Sequence, residues 1–236
     1  MSPAIRLDKR LVELLQCSRA DAQHYIEGGW VSVNGVVVDA PQTLVSDEAV
    51  ALLPGASLDP PEPATLLFNK PAGMDMAQAL AAITVASRSA TDEGGQRVLQ
   101  RHFHRQQALL PLATDDSGLV IFSQDWRIRR YLEQDQATLE QEFVVEVAGE
   151  LAPYGLARLC RGLVFEGRAL PAAKVSWQSE NRLRFAIKDV RPGQLRWMCA
   201  QVGLQAVAVR RLRIGRVGLS KMPEAQWRYL PGGQRF

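Results

Sequence analysis

Residues 111–125 read Pro-Leu-Ala-Thr-Asp-Asp-Ser-Gly-Leu-Val-Ile-Phe-Ser-Gln-Asp, and this stretch decides how the rest of the chain is read. The polar turn from Thr114 to Gly118 leads straight into the apolar run Leu119 to Phe122. A short apolar run with β-branched and aromatic members, bounded by a turn, predicts a buried strand. A loop set against a rigid strand is a common place to hold a reactive side chain. The acids available in it are Asp115 and Asp116.

Working outward, Leu66-Leu67-Phe68 predicts a second buried strand, followed by a turn at Lys70-Pro71-Ala72-Gly73-Met74. Residues 86–96 are polar and glycine-containing, and read as a loop of low order. Downstream, Trp126 to Leu132 predicts a short helix and Glu142 to Val147 a strand. Leu156 to Leu163 reads as an amphipathic helix, Val175–Trp177 and Leu183–Ile187 as strands, and Arg196 to Val202 as a helix. Val207 to Ile214 reads as a strand rich in arginine. Upstream, residues 53–64 hold four prolines in twelve positions, a stiff and extended boundary between domains. Before that boundary, residues 6–38 read as helix, turn, helix and hairpin. Leu7, Leu11, Leu14 and Leu15 recur at helical spacing. Ser18 is a suitable N-cap for a helix with Ala22, Tyr25 and Ile26 on its buried stripe, ended by Gly28-Gly29. Val31 and Val33 precede Asn34-Gly35, a strong hairpin signal, and Val36-Val37-Val38 follow it.

A chain of 236 residues with 47% apolar content is long enough for one large domain and one small one, and disorder is not its default. Charge is unevenly distributed. Residues 1–50 hold four basic side chains against seven acids, whereas residues 181–236 hold twelve against two. The basic C-terminal part is suited to phosphate; the alternative is an ordinary solvated face. Cys17, Cys160 and Cys199 form no Cys-x-x-Cys pair, so neither a zinc site nor a disulfide framework is expected, and a reducing, cytoplasmic setting fits. His102 and His104 flank Phe103 without a carboxylate or Cys at ligand spacing; a solvent-exposed loop is expected there, and no metal. The N-terminal residues lack a signal peptide's apolar core, and no apolar run approaches the length of a membrane span.

LLFNKPAGM at 66–74, PLATDDSGLVIFSQD at 111–125 and Gln194-Leu195-Arg196-Trp197-Met198 together resemble, in order and spacing, the bacterial ribosomal-RNA pseudouridine synthases. RLDKRL at 6–11 and SRADAQHYIEGGWVSVNG at 18–35 resemble the RNA-binding module of ribosomal protein S-four. The resemblance implies an α+β fold: an S-four-like RNA-binding domain at 1–52, a Pro-rich linker at 53–64, and a synthase domain at 65–236 with a mixed, mostly antiparallel sheet and flanking helices. It implies RNA, ribosomal by family, as partner, and no cofactor. It puts Arg6, Lys9, Arg10 and Arg19 on RNA, with Arg19 alternatively pairing a neighbouring acid; Lys70 of the strand-turn motif, and Arg210, Arg211 and Arg213 of the basic C-terminal part, are further candidate RNA contacts. The negative balance of the small domain weighs against strong binding there, since affinity for a polyanion rests largely on positive charge.

In the family an aspartate attacks the nucleotide, the target base is flipped onto an aromatic ring, and an arginine pairs with the acid. Counted back from Gly118, the nucleophile's place is Ala113 and that of the motif arginine is Pro111. The aromatic position is Phe143 in place of tyrosine, a basic position has become Pro192-Gly193, and the second arginine of a pair is Trp197; Arg196 remains. A methyl group does no proton or covalent chemistry, and losing a covalent nucleophile costs about four to six orders of magnitude in rate. Asp115 or Asp116 is the alternative acid, but a two-residue shift moves a carboxylate by roughly 6–7 Å, while productive geometry tolerates about half an ångström. Three readings follow: an impaired RNA-binding protein, a working synthase using Asp115 or Asp116, and a protein-interaction module presenting Trp126, Trp197 and Phe143. A cleft is expected between the 111–118 loop and the start of the 196–202 helix. The distance from each aspartate to the Arg196 guanidinium is the discriminating observation.

Overall fold

The computed structural model describes residues 3–59, 62–92, 96–161 and 163–236. Pro60 and Pro61 of the linker, and residues 93–95 of the polar loop, lie outside the described residues. The chain divides into two compact units: Met1–Pro63 with Gln96–Arg105, and Ala64–Gly95 with Gln106–Phe236.

The first unit contains β1 (Ile5–Arg6), α1 (Leu7–Leu15), α2 (Arg19–Glu27), β2 (Val31–Val33), β3 (Val36–Val37), β4 (Leu44–Val45) and β5 (Val50–Leu52). Ser18 caps α2, its hydroxyl accepting from the Asp21 N–H at 3.1 Å. Asn34 and Gly35 both take positive φ, the geometry that joins β2 to β3 without splaying them. The core gathers Leu7, Leu11, Ala22, Ile26, Val31 and Val45. Leu14 and Leu15 are exposed, so the apolar face predicted for α1 is buried only as far as Leu11.

The segment Gln96–Arg105 adds a short 3-10 turn to this unit. The Arg97 guanidinium lies 5.0 Å from the Trp30 ring centroid and donates to the Gly29 carbonyl. His102 is 6% exposed, which corrects the solvent-exposed reading of the Arg-His-Phe-His-Arg stretch, although His104 and Arg105 are exposed. The polar sequence gave no sign that this loop packs on a core.

The second unit contains β6 (Thr65–Lys70), α3 (Met76–Ala81), β7 (Gln107–Leu109), β8 (Ser117–Ser123), α4 (Trp126–Gln134), β9 (Glu140–Gly149), α5 (Gly155–Cys160), β10 (Val164–Phe165), β11 (Arg168–Ala169), β12 (Lys174–Ser179), β13 (Arg182–Lys188), α6 (Gln194–Ala200), β14 (Leu204–Ile214), β15 (Val217–Gly218) and β16 (Trp227–Tyr229). Among the described residues its main sheet runs β12-β13-β9-β14-β8-β6-β16, with β15 on β14 and β7 on β8. Every pairing is antiparallel except β14 with β8. This is the mixed, mostly antiparallel sheet of an α+β fold.

β6 is buried along its whole length and β8 from Gly118 onward, as their unbroken apolar runs predict. Leu67, Leu119, Ile121, Leu132 and Ile214 form the core on one side. The helix predicted at Leu156–Leu163 is shorter, because Arg161 leaves helical geometry and β10 begins at Val164.

Candidate active site

The 111–118 turn is held by a buried lysine. Lys70 ends β6 with no exposed surface, and its ammonium donates to the carbonyls of Met74, Thr114 and Pro71 at 2.6, 3.0 and 3.1 Å. Burial lowers its pKa, offset in part by the charges of Asp116, Asp115 and Asp75. The expectation that Lys70 contacts RNA is therefore corrected: all three N–H donors point at main-chain oxygens. The Gly73 N–H closes the same arrangement by donating to Thr114 O at 2.9 Å.

Gly118 sets the other side of the turn. Its φ is +103°, and a β-carbon there would lie 2.2 Å from the Arg211 carbonyl oxygen. The missing side chain lets β8 run beside β14, with Gly118 opposite Arg211. Arg211 is 2% exposed. Its Nε donates to Leu119 O at 2.7 Å and its Nη1 to Gln141 Oε1 at 3.1 Å, while Nη2 has no hydrogen-bond partner among the described residues. Burial pushes the Arg211 guanidinium down to about 9, against the pull of Asp116. Arg211 thus staples β8 to β9 and β14, and its assignment as an RNA contact is corrected. Arg210 and Arg213 are partly exposed and ion-paired, the first with Glu224 and the second with Glu140 and Glu142.

Asp116 closes the turn, its N–H donating to Ala113 O at 3.1 Å. The Arg196 guanidinium, from the first turn of α6, donates through Nε to Asp116 Oδ1 at 2.9 Å, through Nη1 to Ala206 O at 2.9 Å and through Nη2 to Asp115 O at 3.1 Å. Arg196 therefore has an acid partner, and it is Asp116. Asp115 gives only its main-chain carbonyl and is exposed. Burial raises the Asp116 pKa, and the charge and hydrogen bond of Arg196 offset this only in part. Ala113, half-buried at the nucleophile's place in the spacing, offers a methyl group.

These residues border a cleft lined by Leu112, Asp116, Phe143, Gly193, Leu195 and Arg211. Its free space is about 10 Å³, which is at the threshold for one water molecule. Phe143 is 1% exposed, with the Arg211 guanidinium 5.9 Å from its ring centroid. The Phe143 ring is thus covered. Trp197 packs on Phe165 with centroids 5.2 Å apart, and Trp126 is exposed. With Phe143 buried, these three aromatics do not form one exposed face.

Gln141 went unnoticed in the sequence. It is the inward neighbour of Phe143 on β9, two positions away, and β-alternation alone carries the signal. The acid that Arg19 alternatively pairs with is Asp8. Asp8 is fully buried in the first unit and receives Arg6 at 3.1 Å and Arg19 at 3.2 Å, with Gln23 and the Lys9 N–H. Burial pushes its carboxyl up, but these hydrogen bonds together bring it below the ordinary value. Arg19 thus pairs with an acid while its side chain stays 66% exposed. Arg10 lies near Glu13 at 3.9 Å and Lys9 is exposed.

The family model of the S4 domain matches residues 5–50. Across nearly the whole chain, the sequence is 23% identical to an uncharacterized RNA pseudouridine synthase of Aquifex aeolicus, covering 96% of this chain and 92% of that protein. It is 24% identical to the dual-specificity RNA pseudouridine synthase RluF of Escherichia coli, over 96% of this chain and 76% of the relative. For the ribosomal large subunit pseudouridine synthase B of Bacillus subtilis the identity is 26%, over 87% and 84%. The chain is homologous to the RNA pseudouridine synthases. A solved pseudouridylate synthase has the same fold, with a TM-score of 0.61, 20% identity and 96% of each chain covered. In this pseudouridine synthase fold, the cleft at Asp116 and Phe143 occupies the junction of the β8 turn with α6.

Proposed function

We propose that this chain is an RNA-binding protein, directed at ribosomal RNA, built on the pseudouridine synthase fold without the covalent step. The observation that carries this reading is the state of the cleft: Ala113 supplies no nucleophile, and free space of about 10 Å³ accepts no uracil. Asp116, the buried acid nearby, stands three residues beyond that place in the sequence. RNA binding is supported by the S4 domain, and ribosomal RNA by the named activity of the Bacillus subtilis relative. The test is tritium release from ribosomal RNA labelled at carbon five of uridine. No release above the enzyme-free blank is expected, and catalytic release overturns the reading.

A second reading is favoured by one specific relation. Asp116 is a buried carboxylate that borders the cleft and is clasped by a guanidinium, the pairing the family uses to hold its attacking acid. In that reading the turn opens to admit the base and Asp116 forms the covalent bond. Tritium release that disappears in Asp116→Asn and persists in Asp115→Asn establishes it.

A further inference from the structure

We propose that a second, separate cleft between α4 and the last residues of the chain binds single-stranded RNA; this rests on the RNA-binding reading and adds a site to it. The cleft has a volume of about 740 Å³, within the range of ligand sites. It is formed wholly within the second unit, by the first turns of α4, the start of β9, the turn after β14 and residues 230–236.

Its charge is one-sided. Arg127, Arg213, Arg216 and Arg235 line it, against a single acid, Glu140. Arg213 pairs with Glu140 at 2.7 Å, so that acid is already neutralised. Arg127, Arg216 and Arg235 are exposed and form no ion pair among the described residues. Three guanidinium groups around one concavity repel each other, an arrangement without a folding benefit. A polyanion relieves it.

Aromatic surface accompanies the charge. Tyr131 lines the cleft with 40% of its surface exposed, and its hydroxyl donates to Phe236 O at 3.3 Å, which orients the ring. Trp126, outside the cleft's lining but next to Arg127 in sequence, is 56% exposed, with the Arg127 guanidinium 5.8 Å from its ring centroid. A basic groove with flat, exposed rings is the arrangement that holds single-stranded nucleic acid, the cations on phosphates and the rings under bases. A double helix presents its bases stacked inward and would leave the Tyr131 ring unused. The occupant is therefore unpaired RNA, with phosphates at Arg127, Arg216 and Arg235.

The probe is a fluorescein-labelled ten-nucleotide oligouridylate, titrated with the full chain at several salt concentrations. Three phosphate contacts on a single strand contribute a salt slope of about 2, or about a hundredfold in affinity near 0.1 M salt. The triple variant Arg127→Gln, Arg216→Gln, Arg235→Gln is expected to lose both, and Tyr131→Ala is expected to weaken binding about tenfold with the slope unchanged. All four positions are at the surface, and a circular-dichroism melt checks that each variant is folded. Unchanged affinity and slope in the triple variant, with the unsubstituted protein binding normally, overturn this site and leave the RNA-binding reading intact. Failure of the unsubstituted chain to bind the oligonucleotide or ribosomal RNA at any salt overturns both. Preference for polyglutamate over the oligonucleotide shows the cleft to be an acidic-protein site, and overturns the proposal too.

Discussion

The Nε of Arg196 and the Oδ1 of Asp116 lie 2.9 Å apart, tying the first turn of α6 to the turn before β8 across 80 residues of sequence. Each guanidinium nitrogen donates once: the two others reach the carbonyls of Ala206 and Asp115. Loop, helix and β14 are thus fixed by one side chain. The carboxylate that answers it is that of Asp116, while Asp115 offers only its main-chain carbonyl.

Asp116→Asn keeps the shape but removes the charge facing Arg196. The pair is mostly shielded, the Asp116 side chain 7% and the Arg196 side chain 29% exposed. Breaking a fully buried pair costs 3–5 kcal/mol, and partial access of water to Arg196 brings the expected loss to about 1–3 kcal/mol. Asp115→Asn, at an exposed position, is expected within about 0.5 kcal/mol of the parent. Urea denaturation reads both; equal losses in the two variants would show that the pairing does not hold the turn.

The sheet was largely legible because its strands are written plainly: Leu66–Phe68 and Leu119–Phe122 are apolar runs that leave no other place to go. The Asn34-Gly35 turn and the Ser18 cap were legible for the same local reason. The site was not. Whether Arg196 meets Asp115 or Asp116 depends on the direction of a carboxylate in a turn, which spacing does not encode. Lys70 and Arg211 looked like nucleic-acid contacts because a basic residue in sequence carries no mark of burial. Their partners are main-chain oxygens and Gln141, brought together only by the fold. Segment 96–105 joined the first unit for a similar reason, its polar composition hiding a buried histidine.

Lys70→Met tests the lysine as a clamp on the turn. The substitution fills the space but leaves the carbonyls of Met74, Thr114 and Pro71 without this donor. Thr114 O keeps the Gly73 N–H, and each unmet acceptor at half-buried Met74 and Pro71 costs about 1–3 kcal/mol. Partial access of water at the turn brings the expected loss to about 2–4 kcal/mol. Hydrogen exchange should also speed at Gly73, whose N–H donates to Thr114 O. Unchanged exchange there, with lowered stability, would place the role of Lys70 elsewhere.

His102 gives the first unit a pH dependence with a definite sign. Burial, with help from the charge of Arg101, pushes its pKa from the ordinary 6.5 down to about 4. Between those values the unfolded chain binds the proton and the folded one does not, so stability falls as pH drops from 6.5 towards 4. The full loss is on the order of 3 kcal/mol. An NMR titration of the imidazole is expected to give an apparent pKa near 4, and His102→Gln should flatten the stability profile across that window. A titration at the ordinary value would refute the buried placement.

Gly118→Ala should be the most damaging small change in the second unit. The added β-carbon would meet the Arg211 carbonyl oxygen at 2.2 Å and its nitrogen at 2.7 Å, both main-chain atoms that cannot swing aside. The φ of +103° adds strain of its own for an L side chain. Relief requires β8 and β14 to separate, which breaks the only parallel ladder of the described sheet and strains the Arg211 bond to Leu119 O. A loss of at least about 3 kcal/mol is expected, with a matching fall in melting temperature. Gly73→Ala is the control. It also has positive φ, +81°, but a β-carbon there meets nothing within 4 Å. Only the conformational cost of about 1–2 kcal/mol applies to it. Similar losses in the two variants would mean that strain at φ, and not the approach of Arg211, fixes glycine at position 118.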